Sequence, residues 1–324
     1  MYFNSTKLLL ANTMMIGVIM TICSNNWVSM WMGLELSLLS FIPFMQTSNV
    51  ISSESMMKYF IMQSVASTML LFSVVIMLIG VSMMNEMIMT VSMLIKLGSA
   101  PFHNWVLLII ETMDYLVMFT MFTVLKMPPL SIMYQINSKM LIMPILLGMI
   151  VGSIFCLNQS SIRKTLAYSS IYNMGLMLTS VSNLNITFTY LMIYSISLLM
   201  LISIIKYLKV NFINQIMSNE YNNLLKINLW MNMLSMGGFP PLIGFMGKLL
   251  IIQFMLNNKE MIMTMILLTT SMLVTAFYTR MAFTSMISFS TLKKWDNLMN
   301  YTGFFITTLN LTLTPMMISF TLIC

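Results

Sequence analysis

Apolar stretches about as long as a bilayer is thick follow one another along this chain, parted by short polar connections. A helix needs about 20 apolar residues to cross a hydrocarbon core of about 30 Å. Stretches of that kind lie at 8–24, 27–46, 57–82, 86–109, 113–135, 139–157, 162–182, 185–209, 225–256, 261–287 and 301–323. None of the segments between them is long enough to fold as a soluble domain. The pattern predicts an all-α integral membrane protein, one domain over residues 1–324 with about eleven transmembrane helices.

Two stretches are interrupted. The fourth carries Lys96-Leu97-Gly98-Ser99-Ala100-Pro101-Phe102-His103, and the ninth carries Gly237-Gly238-Phe239-Pro240-Pro241 followed by Gly244 and Gly247. Backbone groups freed by such residues are tolerated at membrane depth only where protein buries them or a hydrated cavity receives them. Both breaks predict a wet interior, with Gly98, Pro101, Gly237, Gly238, Pro240 and Pro241 as the break residues. Each interrupted helix is fourth of five when the chain is divided into repeats 1–135 and 139–287, with 301–323 as a last helix. Repeats with an odd number of helices must be inverted, and paired broken helices in inverted halves point to a transport site near the midplane. Gly148 and Gly152 predict a close helix contact.

Composition narrows the class. Hydrophobic residues make up 59% of the chain and charged ones only 7%, against about a quarter charged in soluble domains. Methionine occurs 44 times while alanine occurs only at residues 11, 66, 100, 167, 276 and 282, a bias that packing does not ask for. Animal mitochondrial codes read AUA as methionine and AT-rich organelle genomes deplete alanine codons, so the bias points to organelle encoding. With the N-terminus on one side, that side receives Lys7, Lys58, Arg163, Lys164, Lys206, Lys209, Lys226, Lys293 and Lys294, and the other only Lys139 and Lys259. This asymmetry predicts an N-terminus in the matrix and a C-terminus on the intermembrane-space side of the mitochondrial inner membrane. The net charge of +7 is spread over these loops, which suits anionic lipid and predicts no nucleic-acid partner. Cys23, Cys156 and Cys324 are far apart and there is one histidine. Neither a disulfide framework, an iron–sulfur site nor a metal cage is expected, so redox chemistry must lie elsewhere.

Four ionisable residues change the picture most: Glu35, Lys96, Lys126 and Lys248 lie deep inside apolar stretches. Each such charge at the bilayer centre costs about 2.5–3.5 kcal/mol on insertion scales, and such residues mark ion or proton pathways. A lysine can release a proton once desolvated, whereas an arginine cannot. Moving Glu35 towards or away from Lys96 would change the grip of the lysine on its proton, a potential switch that needs an outside energy source. Structural readings exist beside this one: Lys126 before Met127-Pro128-Pro129 as a helix cap, Glu35 in an ion pair, His103 either shuttling protons or bonding a freed carbonyl. Glu111 and Asp114 read as solvated.

The motifs together resemble the NADH dehydrogenase subunit 2 family, antiporter-like membrane subunits of mitochondrial respiratory complex I, in an arthropod version. The resemblance rests on Trp31-Met32-Gly33-Leu34-Glu35 with Phe41-Ile42-Pro43, Glu54 through Lys58-Tyr59-Phe60 to Gln63, and the first break. It continues through Leu157-Asn158-Gln159 with Ile162-Arg163-Lys164, Ala167-Tyr168-Ser169-Ser170-Ile171, and Leu234 through the second break to Phe245. It implies that Glu35, Lys96, Lys126 and Lys248 form a hydrophilic proton-translocating axis in a subunit of a proton-pumping NADH:ubiquinone oxidoreductase, with His103 added as a candidate proton carrier from its own place beside Pro101. NADH, FMN, iron–sulfur clusters and ubiquinone would be held by other subunits, with no cofactor in this chain. Implied partners are neighbouring antiporter-like subunits, other membrane subunits, lipids including cardiolipin, and protons. Departures from the family pattern are Val124-Leu125 for Trp-Gln, Gly247 for Pro, and Asn173-Met174-Gly175-Leu176 for His-x-Gly-Trp. A free-standing cation/proton antiporter and a spacer with silent charges remain the alternatives.

Overall fold

The computed structural model describes residues 5–47, 50–80, 82–136, 139–218, 223–287, and 307, 308, 310 and 312. Among the described residues the chain is helical throughout: α1 Ser5–Cys23, α2 Trp27–Phe44, α3 Ile51–Ile79, α4 Ser82–Leu97, α5 Asn104–Ile110, α6 Tyr115–Phe122 and α7 Met127–Ile136. There follow α8 Ile142–Leu157, α9 Ile162–Thr179, α10 Leu184–Leu208, α11 Ile213–Ser218, α12 Asn223–Gly237, α13 Ile243–Asn257 and α14 Met261–Ile287. The only β-contact among the described residues is an isolated bridge between Ser161 and Phe212. Among the described residues six spans are long and apolar enough to cross a membrane: Ser5–Cys23, Trp27–Phe44, Ile51–Ile79, Tyr115–Ile136, Leu184–Leu208 and Met261–Met286. Ile142–Leu157 and Ile243–Asn257 are shorter apolar helices. The chain forms two compact units, Met1–Gly148 with Val181–Leu184, and Met149–Ser180 with Asn185–Cys324.

In the first unit α1 packs along α2 at two glycines. A Cβ on Gly17 would stand 2.8 Å from the Gly33 carbonyl oxygen, and one on Gly33 would strike Thr21. With no hydrophobic force between helices in lipid, such small-residue contacts supply the attraction. The outer faces stay apolar, as at Leu9, Ile16 and Ile19, where hydrocarbon would meet them. In the second unit α9 is enclosed on nearly every side. Gly152 of α8 lies so close that a Cβ there would stand 2.7 Å from the backbone nitrogen of Tyr172, which is the close approach expected at this glycine. Serine and threonine hydroxyls inside the helices donate to carbonyls one turn back, as Ser37 to Leu34 at 2.8 Å and Ser169 to Leu166 at 2.9 Å. They need no water where none is at hand.

The helices differ from the sequence expectation in two places. The fifth stretch, counted as one crossing with a helix end at Lys126 as the alternative, is divided by a 3₁₀ turn at Val124–Lys126. Pro128 and Pro129 have no N–H to offer the carbonyls of Val124 and Leu125, so the α-ladder cannot run through, while both prolines fit the first turn of α7. The short helix α11 lies in what read as a connection. The expected last helix, 301–323, falls outside the described residues apart from the four named above.

Candidate functional site

The two sequence breaks are the same piece of backbone twice. In the first, Gly98 N–H donates to Ile95 O at 3.1 Å and Ser99 N–H to Leu94 O at 3.2 Å. In the second, Gly238 N–H donates to Ser235 O at 3.0 Å and Phe239 N–H to Leu234 O at 3.1 Å. This is the Schellman ending, which requires a left-handed residue. Gly98 supplies φ +63 and Gly238 φ +77. The peptide bonds Ala100–Pro101 and Pro240–Pro241, at the same offset from those glycines, are both cis.

The lysines, however, occupy different places relative to the matching breaks. Lys96 lies two residues before its glycine, in the last turn of α4, where its carbonyl accepts a 3.4 Å hydrogen bond from Gln63 Nε2. Trp105, just beyond that break, donates Nε1–H back to Ile95 O at 3.1 Å. Lys248 lies ten residues after Gly238, in α13, and its ammonium reaches back to the Gly237 carbonyl at 2.6 Å. A cation on the last carbonyl of α12 meets both the orphan acceptor and the negative end of the helix dipole.

All three lysines are buried, at 8% exposure for Lys96 and 6% each for Lys126 and Lys248. In the first unit Glu35 is half-buried rather than deep in the core, because it faces the side of α2 between Met32 and Leu39, which are exposed. Its Oε1 is nevertheless shielded and has no hydrogen-bond partner, as is Trp31 Nε1 one turn away. Glu35 acts electrostatically on Lys96 and on buried Tyr59. No ion pair joins Glu35 to Lys96, whereas exposed Lys58 pairs with Glu54 at 2.6 Å. Tyr59 is held by Phe41 and Trp105, with ring centroids at 5.1 Å and 5.9 Å. Lys126 sits in the 3₁₀ turn with its ammonium 5.3 Å from the Phe122 ring centroid, within cation–π range. His103 is half-buried, and its Nδ1 lies 3.2 Å from the Pro101 carbonyl, so it bonds a carbonyl at the break. Glu111 and Asp114 are exposed, as expected.

In the second unit Lys248 borders a cavity of about 20 Å³ lined with Asn173, Tyr190, Tyr194, Ser197 and Ser235. That is room for one water molecule. Tyr190 donates to Asn173 Oδ1 at 2.8 Å, and the Lys248 ammonium stands 5.8 Å from the Tyr172 ring centroid. Asn173 thus supplies a polar wall where the family pattern has histidine.

Sequence reasoning missed a polar stripe leading to this cavity. Asn232 Nδ2 donates to Asn228 O at 2.8 Å, Ser235 Oγ to Asn232 O at 2.8 Å, and Asn310 Nδ2 to Asn232 Oδ1 at 2.6 Å. Asn228 is fully buried, and its side-chain oxygen and nitrogen have no hydrogen-bond partner. The spacing of 228, 232 and 235, one face of a helix, was the available signal. Lys226, counted among the loop charges, is 4% exposed inside α12. Among the described residues no cluster of His, Cys, Asp and Glu could hold a metal ion.

A family described as NADH:quinone oxidoreductase/Mrp antiporter matches residues 24–80 and 78–275. The NADH-ubiquinone oxidoreductase chain 2 of Locusta migratoria is 35% identical over 91% of this chain and 90% of its own length. The chain belongs to the NADH-ubiquinone oxidoreductase chain 2 family. The member from Anopheles gambiae is 34% identical over 82% of each chain. A chain of respiratory complex I from Thermus thermophilus superimposes with a TM-score of 0.83 at 19% identity, over 98% of this chain and 79% of that one. The subunit 2 family read from the motifs is therefore borne out, and so is the all-helical membrane fold.

Proposed function

We propose that this chain is a core membrane subunit of a proton-translocating NADH:ubiquinone oxidoreductase, with Glu35, Lys96, Lys126 and Lys248 carrying its proton path. The observation that carries the reading is the burial of three lysines beside broken helices, within a family whose members are named as oxidoreductase chain 2. A buried lysine with no carboxylate in contact can give up its proton when its surroundings rearrange, which an arginine cannot. Glu35 acts on Lys96 without touching it, which leaves room for that rearrangement. His103, half-buried beside the first break, is a candidate proton carrier in this reading. The matching Schellman endings support two repeats, 1–135 and 139–287. In the inner membrane the basic loops would put the N-terminus in the matrix. Redox chemistry in partner subunits supplies the energy, about 2.3 kcal/mol per charge for each 100 mV of membrane potential.

The test is the number of protons translocated per NADH oxidised in assembled complex carrying Lys96→Met or Glu35→Gln. Both variants are expected to lower it. An unchanged stoichiometry in both would remove these residues from the path and favour a spacer with silent charges.

A further inference from the structure

A second pocket, of about 220 Å³, opens between the α8–α9 turn, the start of α11 and the end of α14. We propose that it receives the phosphate of an anionic phospholipid whose acyl chain lies along α14. The walls carry Gln159, Ser160, Asn214 and Arg280, and no carboxylate lines it. The side chains of Gln159, Asn214 and Arg280 make no hydrogen bond or ion pair with any described residue. Three amide and guanidinium groups thus converge on one space with their donors unused. A phosphate diester has the charge and the acceptors to satisfy them, and Arg is the side chain whose planar fork matches phosphate oxygens.

The frame is fixed rather than a chance meeting of loops. Ile213 N–H donates to Ser160 O and Ile162 N–H to Asn211 O, each at 3.0 Å, stitching the two connections around the Ser161–Phe212 bridge. Gln159 and Asn214 flank that stitch, and Arg280 comes to it from α14, which packs on α11.

A lipid is favoured over free phosphate by what lies below. Seven residues before Arg280, two turns along the same face, is Leu273, 40% exposed, and two turns further is Ile266, half-buried. These turns run about 10 Å and about 20 Å along the helix from the guanidinium. A charged pocket at one end of a partly exposed apolar stripe matches a headgroup joined to a hydrocarbon tail. Arg163, Lys164, Lys206 and Lys209 lie in the same helix-end connections, where basic residues gather anionic lipid.

The experiment uses the chain in its intact membrane complex, reconstituted in phosphatidylcholine nanodiscs containing photoactivatable phosphatidylglycerol, with cross-linked peptides mapped by mass spectrometry. Labelling is expected on the peptides around Gln159 and between Leu273 and Thr284. Arg280→Gln should lower it about fivefold, the weight of one basic contact at a membrane surface, and Arg280→Lys should retain most of it. Asn214→Leu, on a different element, should also lower it, so failure of the arginine variant to assemble would not shelter the proposal. Equal labelling by a photoactivatable phosphatidylcholine would overturn it. Loss of labelling on adding inorganic phosphate at matched ionic strength would reassign the pocket to free phosphate and overturn the lipid reading.

Discussion

Lys248 lies ten residues past Gly238 and closes back on the helix before it, so the glycine and the lysine are one device. A Cβ on Gly238 would stand 2.8 Å from both Cε and Nζ of Lys248, and the residue has φ +77. Gly238→Ala is therefore expected to cost about 1–2 kcal/mol in backbone strain and to push the ammonium off Gly237. Gly80→Ala is the control, because Gly80 also has a positive φ, +94, but open space around its Cβ position. Both variants should lower the thermal stability of the complex, and only Gly238→Ala should also lower protons per NADH. By contrast Lys58→Ala, which removes an exposed ion pair, should change stability by less than about 1 kcal/mol. The lysines were legible in the sequence because a charge inside an apolar run has no cheap structural excuse. Lys226 was not, because a basic residue near the start of a stretch reads as a surface anchor, and only the packed structure reveals that it is buried.

Helix–helix contact in this fold depends on what is missing from side chains. Gly33→Val would drive a branched group into Thr21 and the Gly17 carbonyl of α1. The expected loss is about 1–3 kcal/mol for an overpacked contact, read as a lower dissociation temperature of the subunit with its pumping stoichiometry unaltered where assembly survives. The two great breaks were readable because glycine and proline fall together inside an apolar stretch. The turn at Val124–Lys126 was legible only as an alternative, a helix capped by Lys126, since prolines at the start of a helix and prolines inside one look alike until the helix boundary is known. Glu35 was placed on the right helix, but its half-buried position depends on which face of α2 is covered, and an apolar run leaves that face undefined.

The molecule as a whole joins a membrane fold with two matching backbone breaks to lysines that a bilayer would otherwise exclude. The breaks are symmetric and the lysines are not: one precedes its turn, the other follows and caps it. Neutralising Glu35 and Lys96 together should abolish pumping through the first unit if the charges act, and leave it intact if the chain is only a spacer. The most direct measurement is protons translocated per NADH in assembled complex carrying Lys248→Arg. Arginine keeps the cation and the donors for the Gly237 carbonyl but cannot release its proton, so a structural cap would survive the change. The account predicts a lowered stoichiometry with assembly preserved; full pumping by the arginine variant would contradict it and make Lys248 a helix cap alone.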